Sequence, residues 1–194
     1  MPQRHPSNHT NKQNQLGKIA IFYGSSTCYT EIAAEKIAAI LSLQQPVDLY
    51  NIADTAIAVA EQYQHIVLGI PTWDYGELQE DWENIWDSID TLNWVGKTVA
   101  IYGLGDQQGY PEWFQDALGY LWTKVDSLGA TTIGQTSIAG YRFSASKALT
   151  PDGKYFLGLA LDEDSEFELS EQRIADWCRQ IAEEFKAQAL NRPA

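Results

Sequence analysis

The seven residues Gly24-Ser25-Ser26-Thr27-Cys28-Tyr29-Thr30 join an apolar run, Ile19 to Tyr23, to a helix-like run beginning at Glu31. Such a loop offers a phosphate the hydroxyls of Ser25, Thr27 and Thr30, free backbone N–H groups, and the positive end of the following helix dipole. No Lys or Arg lies within it. Neutral donors suit a phosphate that is kept, because phosphoryl-transfer sites usually bring a cation to the charge that develops on the transferred group. The chemistry expected is the anchoring of a phosphorylated cofactor.

Three other phosphate chemistries fail on spelling. A Walker loop requires Gly five residues after its first Gly and then Lys, but position 29 is Tyr. A low-molecular-weight tyrosine phosphatase requires Arg six residues after its nucleophilic Cys, and that position holds Ala34. A receiver domain requires acidic residues after its first strand and an Asp ending its third, where this chain reads Phe22-Tyr23-Gly24 and Gly69-Ile70-Pro71. Cys28 at a helix start lacks a partnering His or Arg pattern and is read as a spectator.

The elements that position this loop alternate between strand-length apolar runs and helix-period segments, which is the pattern of an α/β domain with a parallel sheet. Strands are expected near 18–23, 47–50, 65–70, 97–103 and 131–136, the last resuming at 155–161. Leu78, Trp82, Ile85, Trp86 and Ile89 recur at helical spacing, as do Phe114, Ala117, Leu121, Val125 and Leu128. A last helix carries Ile174, Trp177, Ile181 and Phe185, with Ser170 as its N-cap. Trp82, Trp86, Trp113, Trp122 and Trp177 are read as helix-face packing, and His65 as structural.

In an open α/β sheet the ligand lies beyond the carboxyl ends of the strands, so the loops after strands one, three and four matter. After the third comes Pro71-Thr72-Trp73-Asp74-Tyr75-Gly76, and after the fourth Gly103-Leu104-Gly105-Asp106-Gln107-Gln108-Gly109-Tyr110. Two aromatic loops beside a phosphate loop suit a planar ring held by stacking and tethered through its phosphate. Flavin mononucleotide (FMN) has that shape.

The 194 residues fit one domain: 18–188 as the folded unit, 1–17 as a flexible polar tail and 189–194 as a C-terminal tail. Acidic residues outnumber basic ones 26 to 13, for a formal charge of −13, which disfavours nucleic acid and favours basic partner surfaces. Two cysteines without a ligand cluster give no metal site or disulfide framework. No run approaches a membrane span and residues 1–17 lack a signal-peptide core, so a soluble, cytoplasmic protein is expected.

These motifs resemble the long-chain bacterial flavodoxins over Lys18 to about Phe185, and within them the type found as a second flavodoxin in enteric bacteria. The resemblance rests on Phe22 to Glu31, Pro71-Thr72-Trp73, Gly103 to Tyr110, and Gly158-Leu159-Ala160-Leu161-Asp162-Glu163-Asp164 in that order. It implies a three-layer sandwich with a five-stranded parallel sheet in the order 2-1-3-4-5, the fifth strand split by an insertion at about Gly140 to Phe156.

The resemblance also implies a monomeric one-electron carrier. Ser25, Ser26, Thr27, Cys28, Tyr29 and Thr30 would wrap the FMN phosphate, and Trp73 and Tyr110 would sandwich the ring. Backbone near Asp74, Tyr75 and Gly76 would face flavin N5, while Leu104, Gly105 and Asp106 would meet the pyrimidine side and Asp164 the ribityl chain. A reductase of the flavodoxin/ferredoxin NADP type would supply electrons and acceptor enzymes would take them, through transient electrostatic contacts. The alternative on the same fold is an FMN-dependent NAD(P)H quinone or nitro reductase. Two departures from the usual pattern carry expectations: a side chain at Cys28 is uncomfortable if its backbone needs positive φ, and Asp74-Tyr75 in place of Gly or Asn makes a turn at N5 costlier, so that half-reduced flavin is less stabilised.

Overall fold

The computed structural model describes residues 17–190. The tail assigned to 1–17 and the end of the C-terminal tail, 191–194, lie outside them, apart from Gly17; residues 189 and 190 continue the last helix. Strands β1 (Ile19–Tyr23), β2 (Val47–Asn51), β3 (His65–Trp73), β5 (Thr98–Leu104) and β6 (Thr131–Ile133) form a parallel sheet in the order β2-β1-β3-β5-β6. This is the expected 2-1-3-4-5 order. Short β4 (Glu77–Leu78) folds back antiparallel on the end of β3.

Period-2 alternation assigns each strand's side chains to two faces, both of them covered. Ala20, Phe22, Leu68 and Ile101 join one buried cluster with Phe114, Leu118 and Leu121, where helix α3 (Asp116–Ser127) lies. Ile19, Ile21, Val67 and Ala100 join the other, against α1 (Tyr29–Leu41) and α4 (Phe167–Leu190). On α1 the buried positions Ala33, Ala34, Ile37 and Leu41 make one stripe, and on α4 Ile174, Trp177, Cys178, Ile181 and Phe185 make another. Burial pushes the Cys178 thiol up to about 12, which leaves it protonated and inert at neutral pH. His65 stacks on Phe185 with ring centroids 4.8 Å apart, consistent with a packing role.

The fifth strand position is divided as expected. β6 pairs with Thr98–Ala100 of β5, whereas β9 (Leu159–Leu161) pairs with Tyr102–Leu104 of the same strand. Residues 134–158 leave the sheet between them and carry a small hairpin, β7 (Thr136–Ser137) with β8 (Tyr155–Phe156). Phe156 buries its ring against Phe114, Tyr141 and Phe143, and Arg173 of α4 stacks 4.1 Å over Tyr141. The insertion is thus bonded down on the α3 side of the sheet.

Two elements differ from expectation. The stripe from Leu78 to Ile89 is not one helix: Leu78 ends β4, α2 spans Glu80–Ile85, and Trp86–Thr91 is a 3-10 turn. Ser88, Asp90 and Thr91 compete for backbone bonds that a longer helix would need, and the Thr91 hydroxyl donates to the Ser88 carbonyl at 2.8 Å. The last helix begins at Phe167, three residues before Ser170, which lies buried inside it rather than capping it. The Asp162 carboxylate accepts from the Ser165 backbone and hydroxyl, and Glu166 N–H donates to the Asp162 carbonyl, so the chain turns into α4 earlier. No helix among the described residues is long and apolar enough to cross a membrane.

Candidate functional site

The carboxyl ends of β1, β3 and β5 bring the three singled-out loops together. After β1, Cys28 takes up φ 67° and ψ −13° immediately before α1, and its carbonyl accepts the Ile32 N–H at 2.9 Å. The strained backbone expected for a side chain at this position is present. The left-handed conformation costs a non-glycine residue about 1–2 kcal/mol, partly offset by the unfolded-chain entropy that Gly would add. Cys28→Gly is therefore expected to stabilise the apoprotein by about 0.5–1 kcal/mol, read as a higher urea midpoint at unchanged m; a lower midpoint would show that the thiol packs favourably enough to outweigh the strain.

The start of α1 is tied from beneath. Tyr102 of β5 donates its hydroxyl to the Thr30 carbonyl at 2.9 Å, and Tyr23 donates to the Glu31 carboxylate at 2.7 Å. Burial first, and that carboxylate second, push the Tyr23 phenol well above its ordinary range, so it stays a donor. Thr30 is buried, whereas Ser26, Thr27, Cys28 and Tyr29 are exposed. The Ser25 hydroxyl is buried with no partner among the described residues.

After β3 the chain reverses through Asp74 (φ 43°) and Gly76 (φ 90°), with Gly76 N–H donating to the Trp73 carbonyl at 3.1 Å. Asp tolerates this region better than most side chains. Beneath the turn lies Asp116 at the start of α3: a Cβ on Gly76 would stand 2.9 Å from its Oδ2. Asp116 Oδ1 accepts the Lys147 N–H of the insertion at 2.7 Å. Its carboxyl is raised above the ordinary 3.8 chiefly by desolvation, opposed by the Lys147 backbone bond and charge. The folded state therefore holds this proton in a window where the unfolded chain releases it, so the contribution is complete below 3.8 and lost as pH rises through the raised value. Asp116→Asn keeps an acceptor for Lys147 and removes the titration. Melting temperatures measured from pH 3.5 upward are expected to fall less with rising pH in this variant than in the wild type, and parallel curves would contradict the assignment.

After β5 the loop is pinned by two aspartates. Asp106 Oδ1 accepts from Gln108 N–H at 2.9 Å and Gly109 N–H at 2.7 Å, and its carbonyl accepts from Tyr110 N–H at 3.0 Å. Fully buried Asp162 accepts the Gln107 N–H at 3.1 Å, and the Gln107 side chain accepts the Arg142 N–H of the insertion.

A cavity of ≈ 320 Å³ opens between these loops. It is lined by Thr27, Tyr29 and Thr30 from the first, Pro71, Thr72, Trp73 and Asp74 from the second, and Leu104, Gly105, Asp106 and Tyr110 from the third. Asp164, after β9, completes it; desolvation and then the charges of Asp106 and Asp162 raise its carboxyl. Ser25, Ser26, Cys28 and Gly103 are not on the lining, and Tyr75 and Gly76 face a wider groove of ≈ 970 Å³ beside it. Tyr75 packs edge-on to Trp113 and Tyr110, with centroids 5.1 and 6.3 Å away.

Trp113, Phe114 and Glu163 also line the cavity and were missed from sequence. The sequence places Trp113 on a helix face, whereas α3 starts only at Asp116 and Trp113 stands before it, near Tyr110, which is the signal the sequence offers for it. The site fits a phosphorylated planar ring on an observation independent of that list: Trp73 Nε1 of the lining and Ser25 Oγ of the adjoining phosphate loop are both buried polar atoms without a partner among the described residues.

Comparison with known proteins follows the same lines. The family model described as Flavodoxin matches residues 21–177. Flavodoxin 2 of Escherichia coli K12 is 52% identical over 167 residues, covering 86% of this chain and 96% of that protein. The flavodoxin of Synechococcus elongatus is 44% identical over 170 residues, covering 88% and 99%. Among solved structures, Fusobacterium nucleatum flavodoxin bound to flavin mononucleotide superposes with a TM-score of 0.82 at 30% identity, covering 87% of this chain and 98% of that one.

Proposed function

The chain belongs to the flavodoxin family, and on that premise we propose that its ≈ 320 Å³ cavity holds FMN, with the phosphate at Ser25–Thr30 and the ring between Trp73 and Tyr110. The protein is an FMN-binding electron carrier, not an enzyme. The observation that supports the site assignment is the meeting of phosphate-loop residues Thr27 and Thr30 with both aromatics, Trp73 and Tyr110, in the lining of one cavity.

FMN supplies the one-electron chemistry when bound; the chain supplies binding, exclusion of water and field. Trp73 and Tyr110 offer flat apolar faces that remove solvent from a ring. The Ser25–Thr30 donors and the α1 dipole neutralise a phosphate without a cation. Asp106 within the third loop and Asp162, Glu163 and Asp164 after β9 give this side of the cavity a negative potential, which opposes negative charge added nearby and favours a low reduction potential.

The same acidity supports transient docking to basic faces of a flavodoxin/ferredoxin NADP reductase-type donor and of acceptor enzymes, in the cytoplasm and as a monomer. Nothing in the comparisons favours the quinone or nitro reductase. Trp73→Ala and Tyr110→Ala are each expected to weaken FMN binding about 10-fold, since stacking of a flat heterocycle contributes ~1–3 kcal/mol. Quenching of FMN fluorescence by the apoprotein measures this. Unchanged affinity in both variants would remove the ring from this cavity.

A further inference from the structure

Gln79 is 2% exposed, and both polar atoms of its amide are engaged. It precedes α2 as N-cap, and its Oε1 accepts the Trp82 N–H at 3.4 Å. Its Nε2 donates to Ser26 Oγ at 3.1 Å and to Asp81 Oδ2 at 2.7 Å. The orientation is chemically fixed: turning the amide over would set its oxygen against a carboxylate and its NH₂ against an N–H. Gly24 gives it room, because a Cβ there would stand 2.4 Å from Oε1.

One side chain therefore spans two loops that the sequence separates by about fifty positions. Gln79 directly follows Leu78, which pairs with Thr72, while Glu77 pairs with Trp73. On the other side it holds Ser26 of the phosphate loop. A serine hydroxyl has one hydrogen to give and two lone pairs to accept with. Because Ser26 Oγ accepts from Gln79, its hydrogen remains free to donate within its own loop. The Trp82 indole, donating to the Gly69 carbonyl at 2.9 Å, fastens the same junction to the sheet.

We propose that Gln79 is a positioning residue that makes occupation of the phosphate loop and occupation of the ring cavity cooperative. An anion in the loop orders Ser26, Ser26 orders the Gln79 amide, and Gln79 orders β4 and with it Thr72 and Trp73. Coupling of this kind is reciprocal: whatever tightens one subsite through the brace is tightened by the other to the same degree. The inference rests on the proposed placement of phosphate and ring.

The test uses the full-length apoprotein and two separate probes, riboflavin for the ring cavity and inorganic phosphate for the loop. Riboflavin affinity is read by fluorescence quenching with and without saturating phosphate, at constant ionic strength held with chloride. Phosphate is expected to tighten riboflavin at least about 5-fold, the lower end of ordinary coupling between sites. Gln79→Met keeps the length and approximate volume of the side chain but loses both donors; its coupling factor is expected to fall to about 1, while loss of the cap on Trp82 N–H is expected to lower the melting temperature of the apoprotein by about 2–4 °C. Ser26→Ala removes the other end of the brace and is expected to give the same loss, with no further loss when the two changes are combined.

Independent binding of the two probes to the wild type would overturn the coupling and leave the site standing. Undiminished coupling in Gln79→Met would overturn the role of Gln79. Failure of the wild type to bind either probe would overturn the site placement itself, and this inference with it.

Discussion

FMN is expected to bind the apoprotein about 1,000-fold more tightly than riboflavin, and raising the salt concentration is expected to strengthen FMN binding. The first expectation follows from the donors at Ser25–Thr30: hydrogen bonds to a charged group contribute ~1.5–3 kcal/mol each and the helix dipole a few tenths more. Two such bonds retained net of desolvation come to about 4 kcal/mol, or three decades. The second follows from what the loop lacks. Without Lys or Arg in it, and with a formal charge of −13 on the chain, long-range electrostatics oppose an approaching dianion, and salt screens that opposition. A pocket built on cations would respond the other way. Riboflavin within 10-fold of FMN, or FMN binding that weakens with salt, would contradict the neutral-loop account.

The second large effect concerns the insertion. Gly119 of α3 lies against the backbone of residues 147–148: a Cβ there would come within 2.3 Å of the Lys147 carbonyl oxygen and 2.7 Å of Ala148 N. Backbone cannot rotate away as a flexible side chain can, so the helix and the insertion must separate. Separation also breaks the Lys147 N–H bond to Asp116 and disturbs the Phe114–Phe156 ring contact. Gly119→Val is expected to destabilise the protein by about 3 kcal/mol, the upper range for overpacking. For a domain of this size that is roughly 6–12 °C in melting temperature. A shift under 2 °C would mean that the insertion is not clamped at this point. Because Asp116 also underlies Gly76, the same variant reports whether the 74–76 turn depends on the insertion.

The sheet was legible because Ile19–Tyr23, His65–Ile70 and Thr98–Leu104 are unbroken apolar runs, and no other element competes for such runs in an alternating chain. The division of the fifth strand was legible from the family resemblance. Periodicity failed where several helical types share one spacing: Leu78 to Ile89 carries a helical stripe through a strand end, a short α-helix and a 3-10 turn. Of the cavity, Trp73, at the very end of β3, and Tyr110, Thr27 and Thr30 announced themselves by standing just past apolar strand-length runs. Trp113 did not, since a tryptophan three residues from a helix reads as packing. Gln79 carried no signal, and Asp162 stood in the Gly158–Asp164 motif without any sign of its role: both act through hydrogen bonds made across about fifty intervening residues, and nothing local marks a glutamine or an aspartate as the one that is buried.

The measurement that bears most directly on electron carriage is anaerobic titration of the FMN-loaded protein with dithionite, followed by its visible spectrum. The account predicts two separate one-electron steps, with a long-wavelength band from half-reduced flavin rising and then falling, and no rapid oxidation of NAD(P)H by the protein alone. Incomplete accumulation of that species is expected from the Asp74-Tyr75 turn; near-complete accumulation would overturn that cost and leave the carrier intact. Direct two-electron bleaching together with rapid NAD(P)H turnover, or a protein that takes up no FMN, would contradict the central claim.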